Sequence, residues 1–210
     1  MTMRGTSLIL RLPTRLAEPL VEHLGGSAAD ALLVAIQEDL LDLVATWRRV
    51  GREREVIVFL DGDDTLVVHR VARRGLTTER GKATRDVMRQ RARRALGDHR
   101  VVGVLDRPVP DYGLADIDSL FRRAHEGLAV VADLDGGWMA LGVSAANRDV
   151  LDEGESLVHF IERARIMDIA VHPLVPKGRL DSAEELKALD YRIRERRARA
   201  PRSRRFLMSQ

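Results

Sequence analysis

Leu128-Ala129-Val130-Val131-Ala132-Asp133-Leu134-Asp135-Gly136-Gly137-Trp138-Met139-Ala140-Leu141-Gly142-Val143 contains two short apolar runs around an acidic, glycine-containing turn. Leu128 to Ala132 and Trp138 to Val143 read as strands, and so close a pair is one antiparallel insertion in a sheet. Upstream, Val101 to Leu105 is another buried strand, and Val56-Ile57-Val58-Phe59-Leu60 is a continuous apolar run of the kind buried on both faces. Ser7 to Leu12 reads as the first strand and Ile169 to Leu174 as the last.

Longer helical patterns lie between these runs. After the break at Gly25-Gly26-Ser27 a helix runs to about Arg49, with Leu32, Ile36, Leu40, Leu43, Val44 and Trp47 forming one stripe. An Arg-rich helix spans about Lys82 to Leu96, a short one Asp116 to His125, and another about Leu157 to Met167. A final helix starts near Asp181 and Ser182, where Ser182 and Glu185 have the spacing of a capping box. Pro201 is expected to end any helix there, leaving residues 191–210 as an Arg-rich helix end and tail behind a domain of residues 1–190. Strands alternating with helices imply a single-domain α/β protein with a mostly parallel central sheet.

The 210 residues favour one domain, and 45% hydrophobic with 32% charged residues is a globular mixture. No cysteine is present, which excludes disulfides, thiolate metal sites and cysteine nucleophiles. No apolar run reaches the length of a membrane span, and the first residues lack a signal-peptide layout. The expectation is a soluble cytoplasmic protein. Net charge is +3, and of 35 basic residues only Lys82, Lys177 and Lys187 are lysine. Arg192, Arg194, Arg196, Arg197, Arg199, Arg202, Arg204 and Arg205 crowd the end of the chain, but with few interleaved aromatics they do not read as a nucleic-acid arm.

In open α/β sheets ligands bind beyond the carboxyl ends of the strands, so acids there matter most. Asp61, Asp63 and Asp64 follow one strand, Asp106 another, with Asp111 shortly after, and Asp133 and Asp135 a third. Asp181 follows the last strand, beyond Lys177 and Arg179. Asp106 could bridge Mg2+ or Mn2+ to a nucleotide diphosphate, since hard cations take carboxylate and phosphate oxygens together. It could also begin a turn, because Arg107-Pro108 follows; Asp181 could equally cap the last helix.

The stretch Asp133-Leu134-Asp135-Gly136-Gly137-Trp138, continued by Leu141-Gly142, resembles a signature of small bacterial GT-A-fold glycosyltransferases, within the nucleotide-diphospho-sugar transferase superfamily. Thr14-Arg15-Leu16-Ala17, the helix from Gly26 through Asp39, Val104-Leu105-Asp106 with Pro110-Asp111, and Leu180-Asp181-Ser182 to Leu186 are similar to family segments in the same order. The resemblance implies a three-layer GT-A-like fold and metal-dependent glycosyl or nucleotidyl transfer from a nucleotide or nucleotide-sugar donor. It implies Asp106 and Asp181 as ligands of Mg2+ or Mn2+, Asp135 as the residue that orients or deprotonates the acceptor, and Asp111, Gly136 and Gly137 beside the substrate. The chain departs from the family where a glycine loop and a lysine cradle the phosphates: here Leu10-Arg11-Leu12-Pro13 runs straight into Thr14-Arg15. Arg15, Lys82 and Arg179 are the candidate replacement contacts.

Two other readings compete. Asp61-Gly62-Asp63-Asp64-Thr65-Leu66 resembles the loop of haloacid-dehalogenase-type phosphatases, with Asp61 as nucleophile and Asp63 as acid and base. The shortened first loop instead suits a GT-A-like scaffold that serves as a binding or assembly partner. Oligomeric state is open, and a homodimer is one way to cover an unpaired edge strand.

Overall fold

The apolar runs become strands because β-branched and leucine side chains fill both faces of a sheet. In a computed structural model that describes residues 4–133, 135–152, 154, 156–195 and 200–209, the strands are β1 (Arg4–Leu12), β2 (Arg54–Leu60), β3 (Thr77–Arg80), β4 (His99–Leu105), β5 (Leu128–Ala132), β6 (Trp138–Ser144) and β7 (Val171–Pro173). They form one sheet in the order β3-β2-β1-β4-β6-β5-β7. β1 pairs in parallel with β2 and β4, β2 with β3, and β5 with β7, whereas β6 is antiparallel to both β4 and β5. The expected antiparallel insertion is therefore β6, and the other strands all point the same way.

Helices α1 (Glu18–Leu24), α2 (Gly26–Val50), α3 (Thr65–Ala72), α4 (Arg85–Ala95), α5 (Leu114–Glu126), α6 (Leu157–Ile166), α7 (Ala183–Arg194) and α8 (Pro201–Met208), with a 3-10 helix at Ala145–Leu151, cover the two faces. Leu8, Leu10 and Leu12 of β1 join the core beneath α2 and α5, while Ile9 joins the core beneath α4 and α6. Strand alternation thus sends Arg11 and, past the end of β4, Asp106 toward the α4 side. Trp47 stacks on Phe121 with ring centroids 4.8 Å apart and donates its indole N–H to Asp118, locking α2 to α5.

Four elements differ from expectation. α1 and α3 break what reads as loop, and β3 is a short polar edge strand. Pro201 does not end a helix but sits in the first turn of α8, a position where its missing N–H costs nothing. The carboxylate of Asp39 in α2 accepts the N–H groups of Arg202 and Ser203 at 3.1 and 2.8 Å, capping α8 from across the fold. Ser203 and Leu207 are buried against the body, so the end of the chain is a docked helix rather than a frayed tail. Arg196, Arg197 and Arg199 lie outside the described residues. Among the described residues no helix is long and apolar enough to cross a membrane.

Candidate functional site

The carboxyl ends of β1 and β4 open into a cleft of about 300 Å³. Its walls come from the end of β1 and the following loop (Arg11, Arg15), from Asp106 and Arg107 after β4, and from Arg179 and Asp181 before α7. Gln37 of α2 donates its amide to the Pro13 carbonyl at 2.7 Å, which ties the loop after β1 to α2.

Asp106 is at the base of this cleft, its side chain fully buried. The N–H groups of Asp106 and Arg107 both point at the Met139 carbonyl of β6, at 2.9 and 3.3 Å, so the end of β4 is held by the antiparallel strand. Arg11 Nη1 donates to Asp106 Oδ1 at 3.1 Å, and Arg85 Nε faces Oδ2 at 3.6 Å. Burial pushes the Asp106 carboxyl above its ordinary value, against the pull of Arg11, Arg85 and Arg107.

Beside it, the turn between β5 and β6 presents Asp133 and Asp135. Asp133 is fully buried and meets three guanidinium groups: Arg85 at 2.6 Å, Arg107 at 3.1 Å and Arg179 at 2.5 Å. Asp135 is exposed and contacts the same three arginines at 3.1, 3.6 and 3.3 Å. Burial alone would raise the Asp135 carboxyl, but the hydrogen bonds from Arg85 and from the Gly137 N–H, with the nearby charges, hold it down at about 2. Gly136 has φ of +78°, the left-handed conformation that glycine adopts without strain. At Gly137 a Cβ would overlap the Arg85 guanidinium, so a side chain there would have to push that group aside.

The cleft brings together Asp106, Arg15, Arg179 and Asp181, with Asp135, Gly136 and Gly137 on the adjoining turn. Arg15 is exposed and, among the described residues, has no hydrogen bond or ion pair. Asp181 lies 3.7 Å from Arg179, and its side chain does not cap α7; Ser182 does, while Glu185 accepts the Asp181 N–H at 2.7 Å. Lys82 does not line the cleft. It is exposed on the loop before α4, whereas Arg85, in the first turn of that helix, reaches the buried carboxylates of Asp106 and Asp133. Asp111 does not line it either; it is buried against Arg192 of α7 at 2.7 Å, a tie between two elements. In the acidic loop after β2, Asp64 caps α3 by accepting two backbone N–H groups and Asp63 pairs with Arg80. Lys177 pairs with Asp116 at 2.9 Å over the Tyr112 ring.

A divalent cation held by Asp106 and Asp181 needs open carboxylate oxygens. Among the described residues no three His, Asp or Glu side chains converge. Both Asp106 oxygens face arginines, and Arg85 Nε opposite Oδ2 likewise has no hydrogen-bonding partner, so the two atoms answer each other as an ion pair. A dication placed there would also be repelled by the surrounding guanidinium groups. The residues present do not fit a resident cation at Asp106, whose oxygens already face Arg11 and Arg85; Asp181 is half exposed and lies 3.7 Å from Arg179. Sequence reasoning missed Arg11, Arg85, Arg107 and the central part of Asp133, all of which sit at strand ends or in the first turn of a helix.

No protein-family model and no curated protein matches the chain. Solved structures do. A candidate nucleotide-diphospho-sugar transferase from Desulfovibrio desulfuricans superposes with a TM-score of 0.77 at 16% identity, over 99% of this chain and 95% of its own. CMP:2-keto-3-deoxy-manno-octonic acid synthetase, solved with CTP, gives a TM-score of 0.53 at 12% identity, over 93% of this chain and 100% of its own. Rv0371c from Mycobacterium tuberculosis, solved with manganese, gives 0.50 at 14% identity, over 90% and 98%. At such identities the likeness speaks for architecture, and this chain has a nucleotide-diphospho-sugar transferase-like fold.

Proposed function

We propose that the protein transfers a glycosyl or nucleotidyl group from a nucleotide-activated donor whose phosphates bind in the cleft between the ends of β1 and β4. One observation carries this reading: on a fold shared with nucleotide-using transferases, the cleft at the strand carboxyl ends is lined by Arg11, Arg15, Arg107 and Arg179. Guanidinium groups match phosphate oxygens in charge and geometry, and Arg11, Arg107 and Arg179, held in advance by Asp106 and Asp133, need little rearrangement as charge grows on the leaving phosphate.

Asp135 orients rather than deprotonates. A carboxyl held at about 2 is a weak base at neutral pH, while its exposed position on the turn suits a hydrogen bond to an acceptor hydroxyl. Asp106 is fully buried and keeps Arg11 in place. Thermal unfolding against a panel of nucleotides and nucleotide-sugars, each with and without Mg2+ or Mn2+, tests the reading. A ligand-dependent rise in Tm is expected, because a ligand that binds the folded chain stabilises it by mass action. No rise with any nucleotide under any condition would turn the weight to a non-catalytic scaffold.

A further inference from the structure

We infer that guanidinium groups hold the donor diphosphate here, in the place where a divalent cation was expected, so that binding is independent of metal. The inference rests on the donor-binding reading above and names what recognises the phosphates. Three observations carry it. First, Asp106 and Asp133 are wholly buried and already countered by Arg11, Arg85, Arg107 and Arg179, at distances from 2.5 to 3.6 Å. Second, these arginines keep part of their surface open: the side chain of Arg107 is 41% exposed and that of Arg11 is 28%. Each guanidinium has five N–H donors in a planar fork, so bonds to an aspartate on one edge leave donors for phosphate oxygens on another. Third, Pro13 gives the loop after β1 no N–H at its start, so the backbone offers less to an anion there, and Arg15 brings a side-chain cation to the same loop.

The buried aspartates thus act as anchors that aim arginines, not as ligands of an ion. A metal–phosphate complex carries less negative charge than the bare anion, so an added cation competes with the guanidinium groups for the same oxygens.

Calorimetric titration of the full chain with inorganic pyrophosphate and with nucleoside diphosphates, in EDTA and in excess Mg2+ or Mn2+, tests this. Binding in EDTA is expected, with no gain on adding the cation. Arg107→Ala and Arg15→Ala, both at accessible positions, should each weaken binding about tenfold, the loss of one charge-assisted contact. Arg107→Lys should restore only part of it. Binding seen only with a cation would overturn the inference while leaving the donor reading intact. Binding in EDTA that neither alanine variant weakens would overturn it as well. Absence of binding by any nucleotide or pyrophosphate in either buffer would remove the donor reading first and this inference with it.

Discussion

The protein contains two networks of arginine and acid, and they serve different ends. One links Glu38, Asp39 and Asp42 of α2 to Arg74, just after α3, and to Arg202 of α8. Arg74 reaches Glu38 at 2.6 Å and Asp42 at 2.7 Å, and Arg202 reaches Asp42 at 2.5 Å. The other surrounds the cleft. Both bury a carboxylate almost completely, Asp39 in the first and Asp133 in the second. In the first, Asp39 accepts backbone N–H groups of a helix start, and Glu38 and Asp42 join their arginines where α2 meets α8 and the end of α3. In the second, three arginines share Asp133, and two of them, Arg107 and Arg179, also line the cleft. What separates a fastener from a binding surface is therefore neither the chemistry of the pairs nor the exposure of the cations, since Arg202 is as open as Arg107, but whether the cations line a cleft.

The sharpest way to break this contrast is to remove each buried carboxylate. Asp133→Ala would remove the buried hub of three partly exposed guanidinium groups and leave them to Asp135 and Asp106, and the expected loss is about 3 kcal/mol of stability in urea unfolding. Asp39→Ala removes a helix cap rather than a charge hub, so the expected loss is about 1–2 kcal/mol with pyrophosphate affinity unchanged. Equal losses for the two variants would erase the distinction. Gly137→Ala should cost about 1–3 kcal/mol through displacement of Arg85. Arg15→Ala, which breaks no ion pair among the described residues, should shift stability by less than about 0.5 kcal/mol while weakening phosphate binding.

The smallest effect concerns pH. Asp135 has its folded-state value lowered to about 2, so its contribution is present above the unfolded value of about 3.9 and is lost as pH falls through 2. Because the group is more than a third exposed, solvent screens the gain in stability. Following the carboxyl by NMR titration should find it ionised at pH 3, and Arg85→Gln should move it upward. An ordinary carboxyl value in the unsubstituted chain would show that the cleft arginines do not grip the turn.

Much of the architecture was legible because it is written in local patterns. The apolar run at Val56–Leu60, the stripe along α2 and the two strands flanking Asp133 to Gly137 each announce themselves within a few residues. α3 did not, because its buried side is only Val67 and Val71 and it follows an acidic loop that drew a phosphatase reading. β3 is four polar residues on an edge, with no apolar signal to detect. Pro201 was read as a stop although the same ring geometry suits a helix start; what decides between them is Asp39, far away in the chain. The candidate site divides along the same line. Asp106, Asp135 and Arg179 could be singled out from strand ends and from resemblance, but Arg85 sits on an Arg-rich helix where every arginine looks alike. Only its packing over Gly137 marks it, and that contact spans two distant segments.

The cap on α8 also has a consequence in time. Asp39 and the N–H it accepts from Ser203 are 164 positions apart, so α2 emerges during synthesis long before the group that completes it. Until then its carboxylate must stay hydrated, and the face of α2 that α8 covers stays open. Closing that face waits for a segment made 164 positions later, and it carries the cost of a very long loop that local helix contacts do not.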